Sequence, residues 1–213
     1  MPKIDTSAKT SMLQMFLNCY YLVAIPMLNT SNVTNMQAAF QYCYQLVCIP
    51  PLDTNRVTTM YIMFANCYSL RYVPQLDTSN VTSMSNMFNS CQSLNAVPKL
   101  NTQNVTSMTD MFNCCRSLMY IPQLDVGKIT SFSSNFCADC RALTTLYIKN
   151  LKASIQLTSS LALNKWSLIY IINNEAATSS ITIKLTSVMY NKLSVDEDVV
   201  AALAAHPNLS ISA

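Results

Sequence analysis

Nine cysteines and a single histidine are the side chains best suited to chemistry in this chain. Cys137-x-x-Cys140, with Cys114 and Cys115 one repeat earlier, has the spacing of a metal or redox pair. A structural zinc site needs two such pairs in register. Here one pair is sequence-adjacent, so no metal ligation and no cofactor is expected. Cys19, Cys43, Cys67, Cys91 and Cys115 share one position of a repeat. Free cysteine packs as a small hydrophobe, and buried, reduced thiols are the expectation. Neighbouring Cα atoms about 4.8 Å apart fall within disulfide range, but side chains aimed the same way do not reach the required dihedral. His206 sits in Ala-Ala-His-Pro, at a helix C-terminus, where a cation is favoured. No nucleophile turn lies near it and no paired carboxylates stand out. The lone glycine, Gly127, excludes Gly-rich phosphate cradles. No catalytic residues are expected, and the chain reads as a protein that binds.

Binding chemistry is carried by variable positions within the repeat. Tyr20, Tyr44 and Tyr68 follow the column cysteine, and Gln92 and Arg116 replace them in later repeats. A position that tolerates polarity is exposed, and tyrosine is enriched in binding hot spots. The competing reading is cross-repeat stacking that only stiffens the fold. A second variable column runs Val23, Val47, Arg71, Asn95, Met119, flanked by Ala24, Cys48, Tyr72, Ala96 and Tyr120. The candidate binding residues are therefore Tyr20, Tyr44, Tyr68, Arg71, Tyr72, Arg116, Met119 and Tyr120.

These positions are set by a motif of period 24, with repeats opening at Ile4, Leu28, Leu52, Leu76, Leu100 and Leu124. Phe16, Phe40, Phe64, Phe88, Phe112 and Phe136 keep the same step. A fixed period in the twenties predicts a solenoid, one coil per repeat. Within a repeat, 94–100 reads as a short strand ended by Pro98, and Asp77-Thr78-Ser79-Asn80 as an Asx-type turn. Residues 83–89 read as one or two helical turns, because Met84, Met87 and Phe88 fall at i, i+3 and i+4. Two threonine columns, at Thr6, Thr30, Thr54, Thr78 and Thr102 and at Thr10, Thr34, Thr58, Thr82, Thr106 and Thr130, are expected to satisfy backbone groups at the corners.

The sixth repeat slips by one residue between Phe136 and Cys140, and the period is then lost. Residues 162–175 read as an amphipathic helix, capped by Asn164, with Leu163, Trp166, Ile169, Tyr170 and Ile172 on its apolar side. A strand is expected at 180–185, a short helix at 187–192, a helix at 194–206 capped by Ser194 or Asp196, and a last strand at 209–211. The expected domains are a repeat region, 1–147, and a helix–strand cap, 148–213.

Charged residues make up 11% and apolar residues 51%, and the net charge is +3. No basic stripe suits nucleic acid. No apolar run of 18 residues suits a membrane helix, so no membrane insertion is expected. The N-terminus leads into the first repeat without an export signal.

The pattern Val-Thr-x-Met-x-x-Met-Phe-x-x-Cys-x-Ser-Leu-x-x-[Val/Ile]-Pro-x-Leu-[Asp/Asn]-Thr, at 81–102 and 105–125, resembles the BspA-like leucine-rich-repeat surface proteins of gut bacteria such as Bacteroides. The resemblance covers about residues 4–147. It implies an α+β leucine-rich-repeat solenoid of six 24-residue rungs with an α/β C-terminal cap. It further implies an adhesion or recognition role at the cell surface or outside the cell, with a protein or glycan ligand. An uncapped first rung invites self-association or an assembly partner, and the alternative expectation is a phage tail or other virion component.

Overall fold

The computed structural model describes residues 4–158, 163–178 and 180–213. The expected leucine-rich-repeat solenoid of strand-and-helix rungs is not what forms. Regular structure among the described residues amounts to two small parallel sheets and three short helices, and neither strand nor helix precedes Tyr120. In chain order the elements are β1 (Tyr120–Asp125), β2 (Thr145–Lys149), β3 (Ile155–Gln156), α1 (Lys165–Asn173), β4 (Ile181–Lys184), α2 (Ser187–Leu193), α3 (Glu197–Ala204) and β5 (Leu209–Ser212).

The repeat region is built from turns whose hydrogen bonds leave the segment. Met87 N–H closes a turn on the Met84 carbonyl, but Asn86, Phe88 and Ser90 donate to Thr109, Met111 and Asn113, which lie 23 residues on. A helix would have sent these donors four residues back. Asn86 and Ser90 take φ values of 56° and 61°, which a right-handed helix excludes. The same left-handed positions recur at Gln14, Ala38, Ile62 and Asp110, and at Asn18, Tyr42, Asn66 and Cys114. The i, i+3, i+4 spacing of Met84, Met87 and Phe88 thus buries the same side chains through a chain of turns.

The strand expected at 94–100 is also absent. Its pairing shrinks to a single parallel bridge, Ala96 with Tyr120. The proline in each such segment removes a ladder donor. Among the described residues of the repeats, only β1 pairs over several residues, with β2, and even there the register shifts between Ile121 and Leu124, around Pro122.

Residues one period apart nevertheless meet. Parallel bridges join Ser11 to Asn35, Asn35 to Thr59, Thr59 to Ser83 and Ser83 to Ser107. The rings of Phe16, Phe40, Phe64, Phe88 and Phe112 stack in order, with centroids 5.3 to 5.8 Å apart and planes within 7°. Val33, Met36, Cys43 and Leu46 and their counterparts fill the same interior. Each repeat opens with the expected Asx turn; Ser79 N–H, for example, donates to Asp77 Oδ1 at 2.9 Å.

The one-residue insertion in the sixth repeat is visible as a break. The left-handed residue moves to Asp139 (φ 57°), and Phe136 turns edge-on to Phe112 at 83°. The expected boundary at 147/148 falls inside β2.

Beyond it, β3, β4 and β5 form a parallel sheet in that order, with α1 packed on β2 and α3. Asn164 caps α1, its Oδ1 accepting from Ser167 N–H at 2.9 Å. Residue 162, the expected helix start, lies outside the described residues. The buried face of α1 is Ser167, Leu168, Ile171 and Ile172, whereas Trp166 is 60% exposed under the Lys165 ammonium. Buried Ser167 is held by polar partners: its Oγ donates to Asn164 and accepts from Leu146 N–H. Ile181, Ile183 and Leu185 point inward as their alternation predicts. The helix expected at 194–206 is confined to α3, capped by Asp196, whose Oδ1 accepts from Asp198 and Val199 N–H.

Candidate binding surface

Each column cysteine points inward, so the residue after it points out. Cys43, Cys67, Cys91 and Cys115 donate their thiols to the carbonyls of Phe16, Phe40, Phe64 and Phe88 at 3.0 to 3.1 Å. In the slipped repeat Cys140 does the same toward Phe112, at 3.0 Å. Burial pushes the Cys43 thiol up to about 12, with the neighbouring Cys19 adding to the rise. The Cys67, Cys91, Cys115 and Cys140 thiols are raised by the same desolvation. None of the nine cysteines is disulfide-bonded, and no group of three His, Cys, Asp or Glu among the described residues is placed to hold a metal.

The tyrosines that follow form one continuous stack. Tyr20 and Tyr44 lie 5.0 Å apart at 19°, and Tyr44 and Tyr68 lie 4.8 Å apart at 6°. Tyr20 and Tyr68 are exposed and Tyr44 is half-buried between them. Desolvation raises the Tyr44 phenol, and the Tyr68, Tyr20 and Tyr42 hydroxyls add to the effect. Tyr42 meets Tyr44 edge-on at 6.2 Å, a contact that no spacing rule flagged because Tyr42 has no aromatic counterpart in other repeats. Tyr44 is covered on both faces and Tyr20 and Tyr68 on one, so along its length the stack presents edges and a row of phenolic hydroxyls.

The rest of the column is used differently. Arg116 Nε donates to Asp139 Oδ2 at 2.7 Å, and Asp139 also binds Arg141 at 2.5 Å. The hydrogen bond from Arg116, then that from Arg141, holds the Asp139 carboxyl below its ordinary range. Arg116 is therefore tied into a surface ion-pair cluster. Arg71 is exposed and makes no ion pair among the described residues, and Tyr72 beside it is 60% exposed. Met119 and Tyr120 are exposed at the start of β1. Tyr120 meets Tyr147 edge-on at 6.2 Å, and Tyr147 lies 4.8 Å from Tyr170 of α1. This second aromatic run depends on residues from both halves of the chain. No ring contact among the described residues joins Tyr72 or Tyr120 to the tyrosine stack, so the candidate residues form separate exposed clusters.

The carbonyls of Ser11, Leu13, Met15 and Leu17, whose counterparts in later repeats accept from the preceding one, receive no donor among the described residues. Met15, Phe16, Cys19 and Leu22 are only partly buried there.

Two overlapping segments, residues 1–72 and 48–150, match the family model described as Mycoplasma protein of unknown function, DUF285. Together they span most of the chain, which belongs to this family. No curated protein and no solved structure gives a match. Among the described residues, no helix is long and apolar enough to cross a membrane.

Proposed function

We propose that this chain is a non-enzymatic recognition module whose exposed tyrosine and arginine clusters bind a protein. The observation that carries the reading is the Tyr20–Tyr44–Tyr68 stack: three aromatic residues held rigid at the surface. Rigid aromatic side chains lose little entropy on binding, which suits them to hot spots. Tyr44 has both faces covered and Tyr20 and Tyr68 one each, so along its length the stack offers edges and hydroxyls, chemistry suited to a protein surface. Exposed Tyr21, Val23 and Met27 extend the apolar area on the first repeats. The resemblance to BspA-like surface proteins supports display at a cell surface.

The test is a panel of host matrix proteins passed over the immobilised chain, with Tyr44→Ser and Tyr68→Ser variants alongside. Loss of two hot-spot side chains, at about 2 kcal/mol each, lowers affinity by well over tenfold. Unchanged affinity in the variants, or no binder in the panel, overturns the reading.

A further inference from the structure

A groove of about 600 Å³, lined by none of the stacked tyrosines, runs along the residues that follow Pro74, Pro98 and Pro122 of the third to fifth repeats. One wall is Gln75, Lys99 and Gln123, a column occupied by Met27 and Pro51 in the first two repeats. The other wall carries Asp77, Asn101 and Gln103, and Asp125 with Lys149 closes one end. The buried Leu76, Leu100, Thr78 and Thr102 lie beneath.

The walls are held rather than loose. Gln75 Nε2 donates to the Lys99 carbonyl at 2.7 Å and the Leu76 carbonyl at 3.0 Å, which leaves its Oε1 as an acceptor. Gln123 Nε2 donates to the Tyr170 hydroxyl, again leaving an amide oxygen. Asp77 uses Oδ1 for its Asx turn, through Ser79. Asp125 Oδ1 accepts from Gly127 N–H and Asn150 Nδ2, and its Oδ2 meets Lys149 Nζ at 3.4 Å. Neither Lys99 Nζ nor the side-chain amide of Gln103 has a partner among the described residues, whereas the Gln103 backbone N–H donates to Asn101 Oδ1.

The chemistry is mixed in sign and in role. Two carboxylates and two ammonium groups cancel, so the groove has no net attraction for an anion such as phosphate or an acidic peptide. It offers fixed amide acceptors beside unpartnered donors. A hydroxyl both donates and accepts, and a ligand dense in hydroxyls satisfies such a set. The volume lies within the range of small-molecule sites and takes one or two sugar rings.

We propose that this groove binds a neutral oligosaccharide, with Lys99 and Gln103 as donors and the Gln75 and Gln123 amide oxygens as acceptors. The site rests on the reading of the chain as a binding protein, and it is separate from the tyrosine stack. The experiment is calorimetric or NMR titration of the full chain with maltotriose, with an N-acetyllactosamine oligomer, and with a sulfated heparin disaccharide. At least one neutral sugar binds with a Kd of about 1 mM or tighter. The double variant Lys99→Ala, Gln103→Ala, in which neither lost group has a structural partner, keeps its melting temperature and weakens that binding at least tenfold. Tyr44→Ser leaves it unchanged. Binding of the sulfated sugar alone, no binding of either neutral sugar at about 10 mM, or full affinity in the double variant overturns the proposal. Loss of sugar binding with protein binding intact, or the reverse, tells failure of the groove from failure of the tyrosine surface.

Discussion

The threonine column at the repeat corners allows one substitution to be made in three hydrogen-bonding contexts. Thr78 is buried; its Oγ1 donates to the Asn101 carbonyl at 2.9 Å and accepts from Asn101 N–H at 2.7 Å. Thr30 occupies the same position one pair of repeats earlier, and its Oγ1 donates to the Asp53 carbonyl at 2.8 Å. Thr6 is equally buried, but its Oγ1 has no partner. Valine keeps the shape and removes the hydroxyl. Each hydrogen bond contributes about 1 kcal/mol net, so Thr78→Val is expected to cost about 2 kcal/mol and Thr30→Val about 1 kcal/mol. Removing an unsatisfied buried hydroxyl carries no such loss, so Thr6→Val is neutral or stabilising by about 1 kcal/mol. Urea denaturation of the three variants measures this. With a slope of about 2 kcal/mol per molar, Thr78→Val lowers the midpoint by about 1 M. Equal shifts at all three positions, or a destabilised Thr6→Val, would refute the assignment of the column as a set of backbone clamps.

The cysteine column makes stability depend on pH at the alkaline end. Its thiols are raised in the folded state, Cys43 from 9.0 to about 12, so the unfolded chain loses its protons first. Their contribution is fully present below pH 9 and falls as pH rises from there toward 12. The urea midpoint should drop over this window, and Cys91→Ala should flatten the drop; a pH-independent midpoint up to pH 11 would contradict it. A thiol titration of unfolded, unreduced protein should return nine groups, and a lower count would mean disulfides. Asn164→Ala removes the acceptor for both Ser167 N–H and Ser167 Oγ, and is expected to cost about 1 kcal/mol in a melting experiment.

Much of the site was written in the repeat itself. Tyr20, Tyr44 and Tyr68 share a position, so a stack of period 24 places their rings together whatever the backbone does between them. The choice between a contact stripe and a stiffening stack depends on which part of each ring faces solvent. The near-parallel planes, with centroids 4.8 and 5.0 Å apart, are what no spacing encodes. Arg116 shows the same limit. Its partner Asp139 lies 23 residues on, in the repeat displaced by one residue, so the cluster exists only after the insertion has been placed in space. The groove was missed because its walls come from positions that look like ordinary surface polarity one repeat at a time.

Within the repeats the sequence alone determined which side chains go inside, where each Asx turn falls, and where the period ends, because burial and turn chemistry depend on residue type and local spacing. Only the tertiary structure decided the backbone that connects them. Met84, Met87 and Phe88 meet the core equally well from a helix or from linked turns, and the outcome turned on where the amide protons go. With donors such as Asn86 and Phe88 sent to the neighbouring repeat, the left-handed residues at Asn86 and Ser90 replace helical ones, and short bridges replace the strands.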